Sequence, residues 1–219
     1  MQKLVQGNRS FLRGYFATHR QLFEQLASAG QHPETLFITC SDSRIDPNLI
    51  TNAPPGELFT IRNAGNLVPH PSLPGGTAAS VEYAVEVLEV ENIIVCGHTQ
   101  CGAIDAILNP ERITHLPFVS RWVAQAAKLR EILEERYSHL TGEARMLAAV
   151  QENVLCQVEH LREFELVRRR LDAGRLRVSA WVLRLSTGEV FDYDPDCEQF
   201  LLLQDPTEEG TGPVSLGSP

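Results

Sequence analysis

Two short apolar runs, each followed at once by chemically reactive side chains, constrain the fold of this chain more than any other feature. The run 36–39 leads into Cys40-Ser41-Asp42-Ser43-Arg44, and the run 93–97 leads into His98-Thr99-Gln100-Cys101. Runs of this length and β-branched content are typical of buried parallel strands. Reactive groups in open α/β sheets collect just beyond the carboxyl ends of such strands. We therefore expect both segments at one end of a parallel sheet.

The residue types in these two segments predict a metal centre. Cys40, His98 and Cys101 offer soft and borderline ligands that suit zinc. Three protein ligands leave one tetrahedral position open, which is the arrangement of a catalytic rather than a structural zinc. We expect one Zn²⁺ per chain, which would make a hydroxide nucleophile available near neutral pH. Cys96, within an apolar run, is interpreted as a buried free thiol.

Asp42 and Arg44 follow Cys40 at two-residue steps and are the candidate catalytic pair. If the segment is extended, all three side chains project to the same side. Arg44 can hold the Asp42 carboxylate by a charge-assisted, bidentate pair, which lowers the pKa of Asp42. The predicted roles of Asp42 are to orient the zinc-bound hydroxide, by accepting a hydrogen bond from its proton, and to guard the site. Its pairing with Arg44 keeps it away from the open metal position.

Composition excludes several classes of protein. A net charge of −9 argues against a nucleic-acid-binding protein, which usually carries a basic face. No run of about 18 apolar residues could span a bilayer, and the first residues lack the apolar core of a signal peptide. Five cysteines are an odd number without the dense spacing of a secreted disulfide framework. We therefore expect a cytoplasmic protein.

The alternation of strand and helix patterns predicts one α/β domain, residues 1–203, with a mostly parallel central sheet flanked by helices. It carries an N-terminal helical arm, residues 1–30, and C-terminal helices. Strands are expected at 35–40, 58–61, 92–97 and 176–185, with a hairpin turn at 186–189. Helices are expected in two pieces over 3–29, after an Asp46 cap, after a Thr77 cap, from Gln100, over 117–137, and from 141 to a stop at Gly174. Residues 204–219, rich in Gly, Pro, Ser, Thr and Glu, are predicted to be disordered.

The N-terminal arm is rich in apolar and aromatic side chains at helical spacing. They are Leu4, Phe11, Leu12, Tyr15, Phe16, Leu22, Phe23 and Leu26. A break is expected near Thr18, which could form a capping box with Gln21, and Gly30 is the expected stop. Two alternatives remain open for this arm: an additional helix on the core of the same chain, or packing against a second subunit.

Three motifs together resemble the signature set of the β-class carbonic anhydrases. They are Cys40-Ser-Asp-Ser-Arg44, Arg62-Asn-Ala-Gly65-Asn66 and His98-x-x-Cys101-Gly102. The resemblance covers residues from about 4 to 195. It is nearest the carboxysome-associated branch and its bacterial relatives, through Gln31-His32-Pro33 and Asp46-Pro-Asn-Leu-Ile-Thr51.

This resemblance implies zinc-dependent, reversible hydration of carbon dioxide to bicarbonate on a Cys₂His site, with Asp42 and Arg44 in the roles described above. It also implies that Gln31 reaches across a dimer interface to hydrogen-bond substrate, and that Gly102 offers backbone close to the metal. The family further implies a homodimer or larger homo-oligomer, with N-terminal helices exchanged between partners.

The chain departs from the family pattern in three places. Some members carry an inhibitory bicarbonate site formed by Trp, Arg and Tyr, whereas Phe37, Arg62 and Leu183 stand at those positions here. Carboxysomal members carry a long C-terminal extension for shell-protein contacts, whereas this sequence stops at Pro219; the cytoplasm is the expected location, and a carboxysomal location with shell contacts is the alternative. The segment 69–76 also departs from the expected Gly-rich loop, which bears on the substrate channel.

Three other functions compete with this interpretation. A related hydrolase could attack carbonyl sulfide or carbon disulfide on the same site, and the pocket and its access route would decide. A catalytically inactive relative in an assembly is disfavoured because all three ligands, Asp42 and Arg44 are present. A nucleotide-binding α/β domain is disfavoured because no Gly-rich phosphate loop follows the first strand.

Overall fold

The computed structural model describes residues 1–204 and 214–217 and shows a six-stranded sheet flanked by helices. The strands are β1 (Thr35–Cys40), β2 (Leu58–Asn63), β3 (Asn92–His98), β4 (Arg177–Leu183), β5 (Val190–Asp194) and β6 (Gln199–Leu202). The helices are α1 (Gln2–Arg13), α2 (Tyr15–Thr18), α3 (Arg20–Ala29), α4 (Pro47–Thr51), α5 (Gly76–Glu82), α6 (Gly102–Leu108), α7 (Pro117–Val123), α8 (Ala127–Arg136), α9 (Gly142–Arg162) and α10 (Glu165–Asp172). None of the described helices is long and apolar enough to cross a membrane.

The sheet is mostly parallel, as the alternation of strand and helix patterns predicts. Its strand order is β2-β1-β3-β4-β5-β6, in which the first four strands are parallel and β5 and β6 are antiparallel additions. The chain goes from β1 to β2 on one side and later returns to β3 on the other side. The direction of winding therefore reverses between β1 and β3, and in open α/β sheets ligands bind beyond the carboxyl ends of the strands at such a point.

The centre of the sheet is fully buried. Leu36, Phe37 and Ile38 of β1 are each 0% exposed, which explains why this strand reads as a continuous apolar run. Helix α9 packs across β3 and β4. A Cβ atom at Gly97 would lie 2.6 Å from Val154 Cγ2, so glycine is what allows α9 to approach β3 this closely.

The predicted start of α4 is confirmed. The Asp46 side chain accepts a hydrogen bond from the Leu49 N–H at 3.4 Å, and Pro47 is the first residue of the helix. Proline suits this position because the N–H that it lacks would have no partner within the helix. This short helix follows the turn at residues 41–44 and fixes where the chain leaves the end of β1.

Three predicted helix starts are wrong. Thr18 does not cap α3; its hydroxyl donates backwards to the Tyr15 carbonyl at 3.0 Å. A threonine hydroxyl can bond back to a carbonyl of the preceding turn instead of capping the next helix. Thr77 is not a cap either, because α5 already begins at Gly76, and α6 begins at Gly102 rather than at Gln100.

The helices predicted for residues 117–174 are more divided than the sequence suggests, and they precede the last three strands. A 3-10 turn, Ala124–Ala126, separates α7 from α8. The chain turns between α9 and α10 so that Phe164 becomes buried, at 6% exposure. Gly174 follows α10 with φ +64°, as expected of a stop. The four-residue strand β6 was not predicted because it is too short to show an alternating pattern.

The prediction of disorder over residues 204–219 is wrong for residues 214–217. Leu216 is 5% exposed and its N–H donates to the Phe200 carbonyl at 2.8 Å, while Leu202 N–H donates to Val214 O at 2.7 Å. These bonds pair backbone groups of β6 with the backbone of residues 214–216. The positions 205–213 and 218–219 lie outside the described residues.

The N-terminal arm forms three helices rather than two and buries none of its residues. Its aromatic side chains pack mainly on one another: Phe23 lies 5.8 Å from Phe11 and 5.0 Å from Phe16 between ring centroids. Gly30 ends α3 at φ +82°, as predicted. Because no arm residue is buried, the arm is not an additional core helix of its own chain.

Candidate metal centre

The structure brings Cys40, His98 and Cys101 together in one buried group. Their ligand atoms all lie within 4.8 Å of one another. Cys40 is the last residue of β1, His98 is the last residue of β3, and Cys101 directly precedes α6. Because β1 and β3 are neighbours in the sheet, the grouping follows from the topology, as the sequence predicts.

The hydrogen bond made by His98 fixes which of its ring nitrogens faces the group. Nδ1 lies 2.9 Å from the Thr99 carbonyl, which can only accept, so Nδ1 carries the proton. Nε2 then has a free lone pair, and it has no hydrogen-bond partner among the described residues although His98 is 0% exposed. A buried polar atom without a partner is unusual. Histidine ligands of metals commonly donate their other N–H in this way, so His98 fits a metal ligand.

The two thiols also fit a shared cation. Cys40 Sγ and Cys101 Sγ are 3.9 Å apart. Two sulfurs about 2.3 Å from one tetrahedral zinc would be separated by about 3.8 Å. The Cys101 thiol lowers the pKa of Cys40 to about 4 by hydrogen bonding, although burial opposes this shift. The same contact and burial raise the pKa of Cys101. Both thiols would be deprotonated on binding a dication.

Asp42 and Arg44 form the predicted bidentate pair. Arg44 Nε donates to Asp42 Oδ1 at 2.9 Å and Nη2 donates to Oδ2 at 2.8 Å, while the Arg44 backbone N–H also donates to Oδ1 at 3.0 Å. These side-chain and backbone bonds hold the pKa of Asp42 far below its usual range. The pair comes from a turn rather than the extended segment we expected, because Ile45 N–H bonds to the Asp42 carbonyl at 3.1 Å.

Gln100 contributes to the site although sequence reasoning did not single it out. Its backbone lies in the left-handed region at φ +58°, an uncommon conformation for a residue other than glycine. In this conformation its carbonyl accepts from Arg44 Nη2 at 3.2 Å. The turn before α6 therefore anchors the guanidinium that holds Asp42. Nothing in the sequence around Gln100 marks a left-handed residue.

Arg62 and the two departures from the family pattern also have defined positions. Arg62 Nε donates to the Cys40 carbonyl at 3.2 Å and Nη2 donates to the Asp42 carbonyl at 2.8 Å. Arg62 therefore ties the backbone of the β1 turn to β2. Phe37 and Leu183 are buried, at 0% and 2% exposure. Of these three residues, Arg62 is the polar one. Two of its N–H donors are already hydrogen-bonded to backbone carbonyls.

The two residues expected near substrate lie at the edge of the site. Gly102 is exposed and begins α6, and a Cβ atom there would meet no atom within 4 Å. A cleft of about 720 Å³ opens beside it, lined by Gln100, Cys101, Asp105 and Met146 among others. Gln31 lies in the exposed segment between α3 and β1. In the single chain it is a surface residue.

A parallel α/β fold with a buried Cys–His–Cys group at its switch point fits the class of α/β metalloenzymes. A family model described as carbonic anhydrase matches residues 35–190. A carbonic anhydrase of Synechocystis sp. is 45% identical over 206 residues, which cover 93% of this chain and 75% of that protein. The solved β-carbonic anhydrase CcaA has a TM-score of 0.91 at 44% identity, covering 94% of this chain and 93% of that one.

A more distant structure comes from work on two tetrameric β-carbonic anhydrases of Sordaria macrospora. It has a TM-score of 0.78 at 28% identity and covers 87% of this chain and 95% of that chain. This chain therefore belongs to the β-class carbonic anhydrases. It is an enzyme of that family, whose reaction is the hydration of carbon dioxide.

Proposed function

We propose that this chain hydrates carbon dioxide reversibly to bicarbonate on one zinc ion held by Cys40, His98 and Cys101. The observation that supports this most strongly is the lone pair of His98 Nε2, buried and without a hydrogen-bond partner among the described residues, beside two sulfurs 3.9 Å apart. Two thiolates, one neutral imidazole and an open fourth position are the donor set of a catalytic zinc. When bound, zinc supplies Lewis-acid activation of water near neutral pH.

Asp42 holds and orients the nucleophile in this proposal. Its Oδ1 already accepts two hydrogen bonds from Arg44, and its Oδ2 accepts one. A carboxylate has about four acceptor positions, so Oδ2 retains capacity for the hydrogen of the attacking oxygen. Arg44 keeps Asp42 ionised and away from the open metal position. Arg44 is itself held by Gln100 O, and Arg62 fixes the backbone on which Asp42 lies.

Substrate would be bound by Gly102 and by Gln31 of a second copy. Gly102 supports this role because it adjoins Cys101 and opens onto the cleft beside α6. Gln31 is exposed and directly follows an arm with no buried residue, so a partner chain could bring it to the site. A homodimer or larger homo-oligomer agrees with the tetrameric assembly named for the Sordaria enzymes.

We place this enzyme in the reducing cytoplasm and propose neither membrane insertion nor nucleic-acid binding. The thiolate ligands support a reducing location, since oxidation of the neighbouring Cys40 and Cys101 would remove both sulfur donors.

The decisive experiment measures metal and activity on the same preparation. Stopped-flow carbon dioxide hydration and elemental analysis should give activity that tracks zinc at about one ion per chain. The matched control is the same protein stripped by a chelator and then reloaded, which should lose and regain activity. A zinc-loaded protein that hydrolyses carbonyl sulfide but does not accelerate carbon dioxide hydration would contradict the proposal.

A further inference from the structure

The segment 64–68, called here the 64–68 loop, follows β2 and approaches the metal centre from outside the ligand set. The Gly65 N–H donates a hydrogen bond to Cys40 Sγ at 3.4 Å. Gly65 has φ +81°, and a Cβ atom there would lie 3.0 Å from Ala103 Cβ at the start of α6. A glycine is therefore needed for the backbone to come this close to the ligand sulfur.

The peptide that carries this N–H is held from its other side by an indole. The carbonyl oxygen of the same peptide, Ala64 O, accepts from Trp122 Nε1 of α7 at 2.7 Å. In a planar trans peptide the C=O and the N–H point in opposite directions. Holding the Ala64 oxygen on Trp122 therefore directs the Gly65 N–H towards Cys40. A hydrogen bond to the carbonyl also polarises the peptide and strengthens its N–H as a donor.

The next peptide is held from the sheet-packing helix α9. Asn153 Nδ2 donates to the Gly65 carbonyl at 3.1 Å. Its Oδ1 accepts from Gln157 Nε2 at 3.0 Å, and Gln157 Oε1 accepts from the Val68 N–H at 2.8 Å. Asn153 and Gln157 are each 1% exposed. Buried amides are costly unless they are paired. Here their side chains pair with one another and with the loop backbone.

We propose that Trp122 and Asn153 are positioning residues of the metal centre. They hold the carbonyl oxygens on both sides of Gly65, so that its N–H donates to Cys40 Sγ, stabilises the thiolate and retains the metal. The inference rests on the proposed function, since it takes Cys40 as a metal ligand. Outer partners of this kind change metal affinity by about 10- to 100-fold when they are removed.

The test replaces Trp122 by Phe, which keeps the aromatic ring and removes the single indole donor. We expect zinc affinity, measured by competition with a chromophoric chelator, to fall by about 10-fold or more. In the cobalt-loaded protein, the thiolate-to-metal charge-transfer band should move to longer wavelength, because the sulfur lone pair loses its hydrogen bond. A residue that only supports the fold would leave this band unchanged.

Tyr137→Phe is the matched control. Tyr137, the residue directly after α8, donates a hydrogen bond of the same length, 2.7 Å, to Glu152 of α9, and this bond does not involve the 64–68 loop. This variant should keep the zinc affinity and the cobalt spectrum of the wild type. A folded Trp122→Phe protein with wild-type zinc affinity and an unshifted band would overturn the inference.

If Trp122→Phe does not fold, the wild-type protein still tests the Gly65–Cys40 hydrogen bond on which the inference depends. In protein loaded with cadmium-113, the Gly65 amide proton should show scalar coupling to the metal across the N–H···S bond; absence of coupling at an assigned Gly65 resonance would overturn the inference. Failure of the proposed function looks different. It would appear as a wild-type protein without zinc, whereas failure of this inference alone leaves wild-type zinc content and activity intact.

Discussion

The metal centre and the N-terminal arm differ in where their contacts come from. Cys40, His98 and Cys101 are 5%, 0% and 2% exposed, and strands, turns and helices of the same chain hold them. Helices α1–α3 bury no residue, and Leu4 and Leu12 are 72% and 48% exposed. The three proposed metal ligands all come from a single chain. The arm presents apolar surface of the kind that marks association sites.

Because of this difference, substitutions in the two regions should have different effects. A change at the metal centre should act within one chain and should leave assembly intact. A change in the arm should act through assembly first, and on activity only as a consequence.

The largest effect is expected from Cys101→Ser. The change removes one of the two sulfurs, and a neutral hydroxyl is a much weaker ligand for zinc than a thiolate. Zinc content by elemental analysis and carbon dioxide hydration should both fall to background. The size of the oligomer by light scattering should not change, because Cys101 is buried within its own chain, at 2% exposure. Full activity in a protein with almost no zinc would show that the ligand assignment is wrong.

Asp42→Asn should have the next largest effect. It removes the charge held by Arg44 while it keeps the shape of the side chain and all three ligands. Zinc should stay near one per chain, and kcat/KM should fall by about 10²-fold or more, the usual size of a lost proton-transfer and orienting group. Arg44→Lys is an informative companion, since lysine keeps the charge but cannot form the bidentate pair. Wild-type activity in zinc-loaded Asp42→Asn would make the pair merely structural.

The grouping of reactive residues at the ends of β1 and β3 could be predicted from the sequence. A continuous apolar run indicates a buried parallel strand, and the reactive residues stand directly after two such runs. The bidentate Asp42–Arg44 pair was predicted correctly, although the extended geometry was not, since a turn and an extended strand can bring the same two groups together. The contributions of Gln100 and Trp122 were missed. They act through a left-handed carbonyl and a long-range hydrogen bond, which leave no local pattern in the sequence.

For the N-terminal arm, the sequence predicted the helices but not the surface against which they pack. Its helical pattern was predicted correctly, but the break at Gly14 was missed and the Thr18 capping box was wrong. Whether its apolar residues face the same core or a partner cannot be read from periodicity, because both give the same stripe. The single chain excludes the first alternative, and assembly remains a prediction.

Deleting residues 1–29 should weaken assembly and lower activity together. The arm carries Phe11, Tyr15 and Leu12 at 38%, 41% and 48% exposure, so a partner chain would gain apolar area by covering them. Light scattering should show a smaller species, and kcat/KM should fall because Gln31 would no longer complete a neighbouring site. Zinc content should stay near one per chain, since no ligand lies in the arm. An active monomer would refute both the role of the arm and that of Gln31.

The smallest effect concerns the acid side of the pH profile. In family members with the inhibitory site, bicarbonate binding draws Asp from its Arg, so activity collapses cooperatively on acidification. A ligand shifts such an equilibrium only through contacts that differ between the two states. Here Phe37 and Leu183 are buried apolar residues, and Arg62 already donates to Cys40 O and Asp42 O. Arg62 alone, without Trp and Tyr donors beside it, should therefore bind bicarbonate poorly.

Asp42 should then remain on Arg44 throughout the working range. Arg44 depresses the pKa of Asp42, so the ion pair is fully present above the usual carboxyl value of about 3.9 and is lost only as the pH falls through the lower folded value. Loss of kcat/KM as the pH falls from about 8 to about 6 should consequently follow one event, the protonation of the zinc-bound hydroxide. The limiting log–log slope should be about one. Added bicarbonate should leave this slope unchanged relative to chloride at equal ionic strength. A slope clearly above one that bicarbonate steepens would show that Asp42 leaves Arg44 after all, and that the β1 turn is less fixed by its own chain than its hydrogen bonds indicate.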